Sequence, residues 1–197
     1  MHSVARPART LVLVLTVLAL TCPAWLRAES VALTALDLSH LHVAGWSAAR
    51  VDQAFNGRPL AIGGQKLVRG IGTRATSTLW VELDGRAEKF VATVGVDDAG
   101  AATAAVRMTI VGDGRKLWES GVMKRGEAAR NVDVALAGVR SLLLLVEHAG
   151  ETNAQNFADW AEARFDFAGA PPRTVNAPRE DAVILTPKAP LTPRINA

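Results

Sequence analysis

The chain has 197 residues, a length that suits one domain with tails. Its 49% hydrophobic and 21% charged residues exclude wholesale disorder. The net charge of +3 comes from Arg6, Arg9 and Arg27; past residue 28 bases and acids balance, which leaves no basic footprint for a nucleic-acid backbone.

Residues 1–28 have the three parts of an export signal: a basic start at Arg6 and Arg9, the apolar run Leu11 to Leu20, and small residues before Glu29. The apolar run is shorter than the roughly 20 residues that a stable membrane span needs. The expected location is secreted, periplasmic or at the cell surface. Cys22 is the only cysteine, and Ala19-Leu20-Thr21 before it is a poor lipidation signal. Once the signal is removed, the chain has no disulfide, thiolate metal ligand or cysteine nucleophile.

Residues 29–168 read as a body of short strands. Leu79, Val81 and Leu83 alternate with polar or outward residues, as do Phe90, Ala92, Val94 and Val96, and then Val106, Met108 and Ile110. Gly112-Asp113-Gly114 supplies residues that tolerate positive φ, as a tight hairpin needs. Val132 and Val134 alternate next, and Leu142 to Val146 reads as a central strand covered on both faces. In the last strand Ala161, Ala163, Phe165 and Phe167 alternate with Trp160, Glu162 and Arg164. Strands at about ten-residue intervals with Gly- and Asp-bearing turns predict an all-β sandwich. A helix is conceivable only over Ala154 to Arg164. Residues 169–197 carry six of the nine prolines and read as an extended linker that cannot join a central strand.

Several segments in one order carry a family resemblance: Leu36-Asp37-Leu38 with Gly45-Trp46; Gly70-Ile71-Gly72-Thr73-Arg74-Ala75; Glu82-Leu83-Asp84-Gly85; Phe90 through Asp98; Val111-Gly112-Asp113-Gly114; and Ala158-Asp159-Trp160-Ala161-Glu162-Ala163-Arg164. In these the body resembles the NPCBM family, carbohydrate-binding module family 51. The resemblance implies a jelly-roll-like, galactose-binding-domain-like β-sandwich, binding of galactose-type glycans, a structural calcium ion and a linked secreted glycoside hydrolase. The tail, Ile184 to Pro190 and Thr192 to Asn196, looks like the segment joining such modules to α-galactosidase-like chains. One departure is Thr73, where the family often has His.

A sugar site needs an aromatic face for C–H groups and planar polar groups for hydroxyls. The expected contacts are Trp46, Thr73, Arg74, Asp159 and Trp160, chosen from the matched segments and strand ends. Trp80 and Trp118, inside strands, read as core. Asp97 and Asp98 are the expected calcium ligands, because adjacent carboxylates are costly unless a cation or several donors offset them; capping a turn is the alternative for Asp98. His40 and His42 would share a strand face, but no third zinc ligand has recognisable spacing. No Gly-x-Ser-x-Gly, His-Glu-x-x-His or P-loop is present, and Gly70-Ile71-Gly72 lacks the third glycine of a dinucleotide fingerprint. The expectation is therefore a secreted non-catalytic module that binds galactose-type glycans and targets a linked hydrolase. The alternative is a structural or protein-interaction sandwich that has lost its sugar site.

Overall fold

The computed structural model describes residues 29–45, 48–150 and 155–177. The expected signal, Trp46 and the tail beyond Ala177 lie outside the described residues. Five short strands come first: β1 (Glu29–Ala32), β2 (His42–Val43), β3 (Arg50–Val51), β4 (Ala61–Ile62) and β5 (Gln65–Lys66). Longer ones follow: β6 (Gly70–Arg74), β7 (Ser77–Glu82), β8 (Ala87–Val96), β9 (Ala105–Gly112) and β10 (Arg115–Lys124). The chain then forms β11 (Arg130–Ala135), β12 (Ser141–His148), β13 (Phe157–Phe167) and β14 (Arg173–Val175).

Two antiparallel sheets face each other. The first runs β11-β8-β13-β6-β3, with β1 also on β13; the second runs β10-β9-β12-β7-β14, with β2 also on β7. From β11 onward each strand lies in the sheet opposite its predecessor. This crossing lets the inward alternation of both sheets build one core. Phe90, Phe165, Ile110, Met108, Leu142 and Leu144 are all buried in it, and the Phe90 and Phe165 rings lie 4.8 Å apart between centroids. The expected hairpin forms between β9 and β10, where Asp113 and Gly114 take φ of 48° and 76°. The Asp113 carboxylate also accepts the Arg140 and Ser141 N–H groups, tying this turn to the start of β12.

Three expectations change. The sandwich extends past Ala168: β14 pairs with β7 at the sheet edge, where Pro171 and Pro172 remove no ladder bond from a central strand. Residues 157–164 lie in β13, the strand that the alternation predicts, and not in the rival helix. His40 lies in a 3-10 turn, Leu38–His40, so it and His42 share no strand face. Trp80 is half-buried on the outer face of β7, between the core residues Leu79 and Val81, instead of in the core. Trp118 is also half-buried, but packs against the core.

Candidate functional site

β6 and β13 hold four of the five expected sugar contacts. Their antiparallel register sets Thr73 opposite Ala158, Gly72 opposite Asp159 and Ile71 opposite Trp160. Trp160 faces the core, 3% exposed, with its ring centroid 6.0 Å from that of Phe90. The expectation that it shares a face with Glu162 and Arg164 fails because β13 bulges between Ala161 and Arg164, with Glu162 at φ 48°. The extra residue switches which side chains point inward. Thr73 is fully buried, and its Oγ1 has no hydrogen-bond partner. Asp159 is fully buried as well. These three residues therefore do not meet at the surface. Arg74 is half-buried, with its guanidinium carbon 5.8 Å from the centre of the Phe55 ring, which packs on Phe157.

Asp159 occupies an unusual place. It lies between Gly72 on β6 and Gly95 on β8, where neither neighbour carries a side chain. The segment containing Gln53, Ala54 and Ile62 closes over this spot. A Cβ on Gly72 would come within 2.7 Å of Ala54 Cα, and one on Gly95 would strike the Ile62 side chain. Both Asp159 carboxylate oxygens lack a hydrogen-bond donor. Burial pushes this carboxyl well above the usual carboxylate range, and the nearby charges of Asp97 and Asp98 push it further.

Asp97 and Asp98 do not form the expected pair of free ligands. Asp97 accepts the Ala99 N–H at 2.6 Å and the Ala61 N–H at 3.2 Å. Asp98 accepts the Gly63 and Gly64 N–H groups at 3.1 and 2.7 Å. Both carboxylates thus anchor the β4–β5 hairpin, and backbone donors offset their charge. Among the described residues no three His, Cys, Asp or Glu side chains gather as a metal cage. The carboxylate oxygens in this region without a hydrogen-bond partner are those of Asp159. The role of Phe55 under Arg74 and the glycine frame around Asp159 were missed in the sequence. Only the strand register reveals them, although the many small residues in Gly70-Ile71-Gly72 hinted at a close approach.

Residues 29–166 match the family model described as NPCBM/NEW2 domain. An alpha-1,3-galactosidase B from Akkermansia muciniphila is 33% identical over 125 residues, which is 61% of this chain and 16% of that protein. A relative from Renibacterium salmoninarum is 33% identical over 127 residues; the chain spans 8% of its length. The chain thus corresponds to a small part of these relatives. Among solved structures, the CBM51 of a Clostridium perfringens GH95 protein in complex with methyl-galactose superposes with a TM-score of 0.62 at 25% identity, over 70% of this chain and 99% of that one.

Proposed function

The chain belongs to the NPCBM/NEW2 domain family, and from that premise we propose that it is a non-catalytic module that binds galactose-type glycans and holds a linked glycoside hydrolase close to them. The observation that carries this reading is the superposition on a module bound to methyl-galactose. Mechanistically, tethering raises the effective concentration of glycan around the linked enzyme without altering its chemistry. Export through residues 1–28 fits the same role. Among the described residues, no helix is long and apolar enough to cross a membrane.

Calcium is part of this reading. Its carboxylate ligands would be Asp159 and Asp97 rather than Asp97 and Asp98, with main-chain carbonyls completing a shell of six to eight oxygens. The ion would supply the positive charge that two buried carboxylates require. Asp98 would act through the hairpin it anchors.

The burial of Thr73, Asp159 and Trp160 favours one second reading, a sandwich that has kept the fold and serves a protein partner. Titration of the chain with galactose and lactose, following Trp fluorescence with and without calcium, separates the two. Saturable quenching supports the sugar module. A flat response from folded protein across a panel of neutral sugars defeats it. Loss of melting temperature in chelator supports the ion, and an unchanged melting temperature removes it.

A further inference from the structure

The outer face of the second sheet carries a constellation on the opposite side of the sandwich from Asp159. The registers of β14, β7, β12 and β9 align Val175, Trp80, Leu143 and Val111 in one row. Trp80 is the half-buried aromatic in that row. At its end of the row a cleft of about 470 Å³ opens, within the range of small-ligand sites. His40, His42, Thr78, Trp80 and Asn176 line it. Among the described residues, no Lys, Arg, Asp or Glu side chain is among its walls.

These groups come from distant parts of the chain, yet they are held together. His40 Nδ1 lies 3.0 Å from Asn176 Oδ1, a separation of 136 residues in sequence. His40 Nε2 lies 3.7 Å from Asp37 Oδ2, and Asp37 itself caps the 3-10 turn by accepting the Ser39 N–H. The Thr174 hydroxyl donates to the Asp37 carbonyl, which fixes the end of β14 beside that turn. His42 sits opposite Thr78 in the β2–β7 register, so its position is set by main-chain pairing. The wall is therefore built before a ligand arrives, which lowers the entropic cost of binding.

We propose that this cleft binds one neutral hexopyranose unit, with a C–H face of the ring on the Trp80 indole and hydroxyls hydrogen-bonded to His42, Thr78 and Asn176. Three features select that chemistry. A half-buried indole lining the cleft offers apolar aromatic surface to the C–H face of a pyranose. Imidazole, hydroxyl and carboxamide groups both donate and accept, as sugar hydroxyls do. A wall without formal charge favours a neutral sugar over an acidic one. The inference rests on the carbohydrate reading above and assigns the contact to the second sheet, whereas Thr73, Arg74, Asp159 and Trp160 belong to the first.

The test is calorimetric titration of the full chain with methyl galactoside, methyl glucoside, methyl N-acetylgalactosaminide and lactose. The variants are Trp80→Ala, Trp80→Phe, His42→Ala, Asn176→Ala and Arg74→Ala, each with its melting temperature. Trp80→Ala is expected to weaken binding by about tenfold or more, as loss of a central aromatic anchor does. His42→Ala and Asn176→Ala weaken it by a few fold without lowering the melting temperature, Trp80→Phe restores part of it, and Arg74→Ala leaves it unchanged. If Trp80→Ala misfolds, the other cleft variants decide. Full binding in the folded cleft variants, with loss in Arg74→Ala, overturns the cleft and leaves the carbohydrate reading standing. Absence of binding by the unaltered chain to every sugar overturns both.

Discussion

The outer faces of the two sheets follow the same alternation and meet opposite fates. On the first sheet the outward residue Asp159 is fully buried, because the segment around Gln53, Ala54 and Ile62 lies directly over Gly72 and Gly95. On the second sheet the outward residues Thr78 and Trp80 stay half-exposed and line an open cleft. A strand's period decides which side a residue takes. Whether that side is interior depends on what another segment lays over it. The covered face buries an acid and has the chemistry of a closed anchor; the open face has the chemistry of a binding surface.

Five substitutions would break or sharpen this contrast. The largest effect is expected from Trp160→Ala, which removes an aromatic packed on Phe90 and should cost about 3–5 kcal/mol in denaturant unfolding. Trp80→Ala on the open face should cost about 1 kcal/mol or less by the same measurement, since only part of its area leaves water. Equal losses at the two tryptophans would make Trp80 a core residue and close the open face. Gly72→Ala comes next. Its new methyl would meet the Gln53 and Ala54 main chain, so a destabilisation of about 1–3 kcal/mol is expected, with faster hydrogen exchange over residues 52–64. A neutral result would show that the cover is loose.

Asp159→Asn tests the acid beneath that cover. The folded carboxyl lies well above the ordinary aspartate value of 3.8, so between that value and its folded pKa the folded chain holds a proton that the unfolded chain has released. In chelator, the contribution of Asp159 to stability should therefore be greatest below about pH 4 and decline as pH rises. Asp159→Asn should flatten that decline and shift stability at neutral pH by about 1–3 kcal/mol, read from melts across pH. Saturating calcium should counter the decline in the unaltered chain, because the ion needs the deprotonated carboxylates, and should do nothing for the variant. The smallest effect is expected from Arg173→Ala. It removes an exposed ion pair with Glu82, 2.6 Å long, and should change stability by less than about 1 kcal/mol, with less effect still at high salt.

The alternating runs at Leu79 to Leu83, Phe90 to Val96 and Val106 to Ile110 were legible as strands because each buries one face. The Asp113-Gly114 turn was legible because few other residues take positive φ. The last strand was legible only in part: its pattern runs through a bulge at Glu162, and a single inserted residue reverses the sides of everything before it. Hence the alternation puts Phe165 in the core, as the structure does, but sets Trp160 on the face of Glu162 and Arg164, where it does not lie. Of the expected site residues, Arg74 stays partly at the surface, Trp46 lies outside the described residues, and Thr73, Asp159 and Trp160 are buried. Asp97 and Asp98 were read correctly as adjacent charges needing an offset, but main-chain N–H groups supply it.

By itself the sequence determined the all-β class, the positions of the long alternating strands and the family, because period-two hydrophobicity and turn residues act locally and the matched motifs lie in one order along the chain. Tertiary structure alone decided which outward residues are covered and which distant ones meet. Asp159 under residues 52–64, and His40 beside Asn176, depend on sheet register and loop placement, and those contacts close over separations that no local pattern encodes.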